Sequence, residues 1–188
     1  MEALKIILLC VAAAVVYGIG QDLITTRVCL EYFTIGHPPI FGGTQKPTLL
    51  ALGWGVIATW WVGLGLGAPA ALLCRAGSQP KLGWRDLRWP IGLLMVVMAL
   101  ISAAAGLIGY VASGIIVDYT PDEAVFNTPR FQADLAAHST AYFVGFTGSI
   151  LICGWIWWRR GSLERAELRA EIERLRRENR ELVERISK

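Results

Sequence analysis

Apolar residues gather in four long runs: Leu4 to Ile19, Leu49 to Leu73, Pro90 to Val117 and Ala136 to Trp158. Each is near the length of about 20 residues that a helix needs to cross a hydrocarbon core, and the first is read as continuing to about Leu23. After Trp158 the pattern changes to charged residues with an apolar position every three or four. The pattern predicts an all-α membrane protein, a four-transmembrane-helix bundle with a C-terminal cytoplasmic coiled coil. Residues 1–160 form the bundle, with spans at about 4–23, 49–73, 90–117 and 136–158, and residues 161–188 form the tail.

Within the spans, small residues recur at four-residue spacing: Gly55, Thr59, Gly63 and Gly67; Ala105, Gly109 and Ser113; Ala141, Gly145 and Ser149. Helices in a bilayer gain little from hydrophobic contact with one another, so faces that let backbones approach are expected to be the helix–helix interfaces. Trp54, Trp60 and Trp61 are expected to face lipid or neighbouring helices. The first run is weak as a signal peptide, because Gly-Ile-Gly-Gln-Asp is a poor cleavage context. Gln21 to Ile35 is read as the same helix continued, with Arg27 and Glu31 spaced for an ion pair. Gly36-His37-Pro38-Pro39 ends it.

The connecting segments set an orientation. Cys74 to Trp89 carries Arg75, Lys81, Arg85 and Arg88 against Asp86, whereas Asp118 to Leu135 carries four acids and Arg130. Under the positive-inside rule the first is cytoplasmic, and so are both termini. Thr120-Pro121-Asp122-Glu123 has the form of a capping box, and Thr128-Pro129 repeats the cap-then-proline pattern at the fourth helix.

In the tail, Ile172, Asn179 and Ile186 take the a positions and Leu168, Leu175 and Leu182 the d positions. Ile at a with Leu at d favours a parallel homodimer, and one a-position Asn fixes register. The alternative is a solvated charged helix. Gly161-Ser162 predicts a helix interruption, and it also has the form of a junction to an appended module.

Composition then narrows the function classes. From Arg159 onward there are ten basic and seven acidic residues, a surplus equal to the whole chain's net charge of +3. These charges are interleaved, which argues against nucleic acid as a partner. Cys10, Cys29, Cys74 and Cys153 form no CxxC, and a buried thiol behaves as a small hydrophobe. No HExxH, GxSxG, P-loop or lipid-synthase aspartate repeat is present.

Candidate chemistry lies on the outer side. Asp134 and His138 are one turn apart on a helix. If the first outer segment folds over the fourth helix, Glu31 and His37 join them in a set suited to a divalent transition metal such as zinc. The alternative is a helix cap and a hydrogen-bonded pair. Asp22 and Asp118 are candidates for an outward vestibule, because acids within spans face bundle interiors or wet cavities.

The stretch Glu31-Tyr32-Phe33-Thr34-Ile35-Gly36-His37-Pro38, followed by Gly53-Trp54-Gly55, resembles segments of uncharacterised bacterial four-span membrane proteins. The resemblance covers Tyr17 to about Leu73. It implies a bacterial inner membrane and brings no activity with it. The function expected is an oligomeric channel, transporter or sensor. A metal-dependent membrane enzyme and a non-catalytic assembly subunit are the alternatives.

Overall fold

The computed structural model describes residues 1–113 and 128–187. Among the described residues six helices follow one another: α1 (Glu2–Val28), α2 (Leu30–Thr34), α3 (Pro47–Ile57), α4 (Trp60–Arg75), α5 (Trp84–Ser113) and α6 (Pro129–Ile186). No strand occurs among the described residues. Four helical stretches, Glu2–Val28, Pro47–Arg75, Trp84–Ser113 and Pro129–Ile186, are long and apolar enough to cross a membrane. Large apolar side chains cover much of the outside, Leu8, Val16, Leu107, Phe143, Phe146 and Leu151 among them.

The small-residue stripes decide the packing. α1 pairs with α3 and α4, α5 pairs with α6, and the two pairs meet through α1 with α5 and α4 with α6. At Gly55 a Cβ would lie 2.6 Å from the Ile19 backbone; at Gly63, 2.7 Å from Val11 Cα. Gly18 answers from α1, where a Cβ would meet Thr59 Cγ2 at 2.5 Å. Gly109 does the same between α5 and α6, with the Gln132 carbonyl 2.6 Å from its virtual Cβ. Only glycine permits backbones this close, and the return is dispersion contact along the whole seam.

Several boundaries differ from the sequence expectation, each for a local reason. The helix expected to run past Asp22 to Ile35 breaks at Cys29, which is extended (φ −144, ψ 103). That break removes the i,i+4 spacing of Arg27 and Glu31. Arg27 instead donates to Leu23 O and, at 3.1 Å, to Thr48 Oγ1. The second span is two helices, interrupted at Ala58–Thr59. Thr59 Oγ1 donates back to Gly55 O, a bond that bends helices.

The third helix starts at Trp84, six residues before the expected Pro90. Gly83 N–H donates to Asp86 Oδ2 at 2.8 Å while Asp86 N–H donates to Gly83 O at 3.1 Å, a reciprocal cap that starts a turn upstream of the proline. Thr128 caps α6 as expected, its Oγ1 accepting from Phe131 N–H at 3.3 Å. The Thr120–Glu123 box and Asp118 lie outside the described residues.

The interruption expected at Gly161-Ser162 is absent, and α6 passes through it without a break. The side chains on either side hold the register. Arg160 is buried and donates to the carbonyls of Leu73, Ala76, Gln79 and Pro80, and Gln79 Nε2 donates to Glu164 Oε2 at 3.0 Å. Beyond it the tail is exposed, including Leu168, Ile172, Leu175, Asn179, Leu182 and Ile186.

Candidate functional site

At the end of the bundle opposite the tail, α1, α2, α3 and α6 converge. The polar pair Gln21-Asp22 interrupts the apolar run of α1. Close packing of Gly18 on Thr59 brings this turn against the α3–α4 break. The Cys29 break then turns α2 back across α6, so that Tyr32 stacks on His138 with centroids 4.8 Å apart. Gly36 lets the chain turn: a Cβ there would meet Tyr32 O at 2.5 Å. His37 comes to rest 4.7 Å from the Trp54 ring and 5.0 Å from Tyr32, and its Nδ1 donates to Tyr32 O at 2.8 Å. Phe41 lies on Gly53 and meets Trp54 edge-on at 5.6 Å. The two sequence segments Glu31–Pro38 and Gly53–Gly55 are therefore the two walls of one aromatic cluster.

Beneath that cluster sits the polar centre. His138 Nε2 lies 3.0 Å from Asp22 Oδ1, and His138 Nδ1 lies 2.8 Å from Asp134 O. A backbone carbonyl only accepts, so Nδ1 carries a proton. Nε2 then has two options. It donates to an Asp22 carboxylate from an imidazolium, or it accepts from a protonated Asp22 as a neutral ring. Across this contact the pair holds one proton in one of two places. Asp22 is 5% exposed, so little water competes for it.

A cavity of about 160 Å³ opens on this pair. Gln21, Asp22, Tyr32, His37, Trp54, His138 and Tyr142 line its polar end. Along α1 its wall runs from Asp22 back to Cys10, with Leu66, Met95, Met98, Ile152 and Cys153 opposite. It ends at Ala70 and Leu87, which belong to a buried cluster with Ile6, Ala71, Cys74, Leu82 and Ile156. Among the described residues the buried side-chain polar atoms without a hydrogen-bond partner are Gln21 Nε2 and Oε1, Trp54 Nε1 and Asp134 Oδ2, and the first three belong to cavity-lining residues. Such orphans are rare in folded proteins and mark places where a ligand or water completes the set.

The expected site residues are thus distributed unevenly. Asp22 and His138 are paired, and His37 reaches the same cluster through Tyr32 and not through a metal-like arrangement. Asp134 is 1% exposed beside them and gives His138 its carbonyl. Glu31 points away on the surface, accepting from Cys29 Sγ at 3.4 Å, so it does not join the other three. Among the described residues no group of three or more His, Cys, Asp and Glu side chains is placed to hold a metal ion. Outside the long helices, burial raises the Cys29 thiol above its ordinary range and pushes the Tyr32 phenol well up.

Sequence reasoning missed Gln21, Tyr32, Trp54 and Tyr142 as lining residues. Gln21 alone carried a signal, an amide inside an apolar run. Trp54 was expected against lipid or other helices, and it is 8% exposed, packed on Phe33 and Leu50. No protein-family model, curated protein or solved structure matches the chain.

Proposed function

We propose that this is an integral membrane protein of the transporter or sensor class, which binds a ligand in the bundle cavity and links occupancy to the proton shared by Asp22 and His138. The observation that carries the reading is that pair, buried at the polar head of a cavity whose own lining has unpartnered donors and acceptors. A carrier or sensor is favoured over an open channel, because the Ile6–Leu87–Ile156 cluster blocks the cavity at the basic end. A metal enzyme is less well supported, since the described residues gather no three-ligand set.

Orientation follows from charge. The N-terminus, the Arg75–Arg88 segment and the start of the tail share one end of the bundle, joined by Glu2 beside Gly83 and by Arg160 under the α4–α5 turn. Lys and Arg bias supports a cytoplasmic position for that end, with the Asp22–His138 site toward the outside. The tail's exposed Leu168, Ile172, Leu175, Leu182 and Ile186 fit a parallel homodimer with Asn179 setting register, held at high local concentration by the shared bilayer.

A second proton on the pair leaves an imidazolium facing a neutral acid, a buried net charge that the surroundings must offset. The groups facing the pair are Tyr32 and Phe33 from α2, His37 just beyond α2, and Asp134 and Tyr142 on α6; none is a permanent cation. Occupancy should therefore fall on acidification. The test is mass spectrometry of protein in nanodiscs, reading copurified small molecules and oligomeric mass together. The expectation is a dimer that holds less ligand at about pH 5 than at about pH 8. His138→Gln and Asp22→Asn should lose that dependence. Retention that is equal at both pH values in the wild type sinks the proton linkage, and a monomer sinks the dimer.

A further inference from the structure

We infer that the cavity takes a single-chain lipid with an uncharged hydroxyl head, the head between Gln21 and Trp54 and the chain running toward Cys10 and Cys153. This rests on the reading of the cavity as a ligand site and names the ligand class.

The shape argues for a chain. On α1 the wall extends from Asp22 to Cys10, twelve residues, or about 18 Å of helix. With C–C bonds of about 1.5 Å in zigzag, roughly fourteen carbons span that length. Leu66, Met95, Met98 and Ile152 make the deep part apolar, and the two hydroxyls there are already engaged, Tyr17 donating to Ser102 Oγ and Ser149 to Gly145 O. Methionine side chains suit a flexible chain, because they adapt to irregular gaps.

The head end argues for a hydroxyl. Trp54 Nε1 and Gln21 Nε2 are donors without partners, and Gln21 Oε1 is an acceptor without one; all three atoms are buried, so a head group meets them as the Gln21 amide and the Trp54 indole turn toward the cavity. A hydroxyl both accepts and donates, so it answers both kinds of orphan. A ketone or ester leaves the Gln21 oxygen unpaired. A quaternary ammonium pairs with none of the three. A carboxylate or phosphate would bring negative charge beside Asp22 and Asp134, which the low dielectric makes costly.

The experiment uses the full chain in nanodiscs with tetradecanol bearing a diazirine near its methyl end. Photolabelling should saturate, be competed by plain tetradecanol, and fall on the deep lining at Cys10, Leu66, Ile152 or Cys153. The surrounding bilayer also buries methylenes, so selectivity for length must come from fit. At equal membrane mole fraction, octanol and eicosanol should therefore compete less well than tetradecanol. Gln21→Leu should weaken labelling about tenfold, the equivalent of one net hydrogen bond. Ala14→Phe, which fills the middle of the cavity, should abolish it.

Labelling confined to lipid-facing residues such as Phe143 and Leu151, or competition that only rises with chain length, overturns the proposal. Two variants that label like wild type also overturn it. If tetradecanol fails while a copurified molecule is still released by acid, the lipid assignment falls and the proton-linked site stands. If tetradecanol labels identically in His138→Gln and at both pH values, the lipid site stands and the proton linkage falls.

Discussion

Arg160 gives the sharpest stability prediction. Arg159 and Arg160 are adjacent in the sequence, yet the two differ completely in the structure. Arg159 is exposed, whereas Arg160 is 5% exposed and spends its fork on four backbone carbonyls. Nε donates to Pro80 O at 2.9 Å, Nη2 to Ala76 O at 2.7 Å and Gln79 O at 3.0 Å, and Nη1 to Leu73 O. These carbonyls belong to the end of α4 and the turn after it, where Gly77 adopts φ +74. Helix ends leave such carbonyls without intrahelical partners, and a cation there also meets the negative end of the helix dipole.

Hydrogen bonds to a charged group contribute about 1.5–3 kcal/mol each, but four bonds from one guanidinium are not additive. Breaking a comparable buried network costs about 3–5 kcal/mol, and that is the loss expected for Arg160→Ala. Arg159→Ala should stay within about 0.5 kcal/mol. Arg160→Lys should recover only part, since a compact ammonium cannot reach four separated acceptors. The assay is unfolding in detergent, with maleimide labelling of Cys74 as a local readout, because Cys74 is fully buried beneath this turn. Equal stability of Arg160→Ala and Arg159→Ala, with Cys74 still protected, would refute the reasoning.

Two further outcomes follow from geometry. Gly55→Ala places a methyl 2.6 Å from the Ile19 backbone and should destabilise by about 1–3 kcal/mol, whereas Gly65→Ala meets nothing within 4 Å and should stabilise its helix by about 0.5–1 kcal/mol; paired unfolding curves check both. Burial raises the Cys29 thiol, and Glu31 accepting from Sγ favours the protonated form, so thiolate appears only at higher pH than in the unfolded chain. Maleimide labelling of Cys29 in detergent micelles should therefore be slower than in denatured protein at neutral pH, with the gap closing as pH rises; an identical pH profile would contradict the burial argument.

What was legible in the sequence was whatever depends on periodicity. The four long helices and the glycine seams follow from composition and four-residue spacing, because a backbone that must approach another leaves glycine at every fourth position. The helix ends were less legible. Asp86 was read as one acid in a basic loop, while it is a cap that moves the start of α5 back a turn. Cys29 gave no sign that it would break α1, and that single extended residue undoes the Arg27–Glu31 spacing and sends Glu31 to the surface.

The site was half visible for the same reason. Asp134 and His138 share a face because they share a helix, and spacing alone shows that. Which partner completes them is a tertiary question. The metal reading puts Glu31 and His37 there on the strength of their chemistry; the chain instead delivers Asp22 from the end of the first span and an aromatic cover from α2. Charge position explains the preference. Asp22, at the end of the first span, is buried and has His138 Nε2 at 3.0 Å. Glu31, one turn past a helix break, has water. The buried acid needed a partner and the exposed one did not, so the histidine went to Asp22.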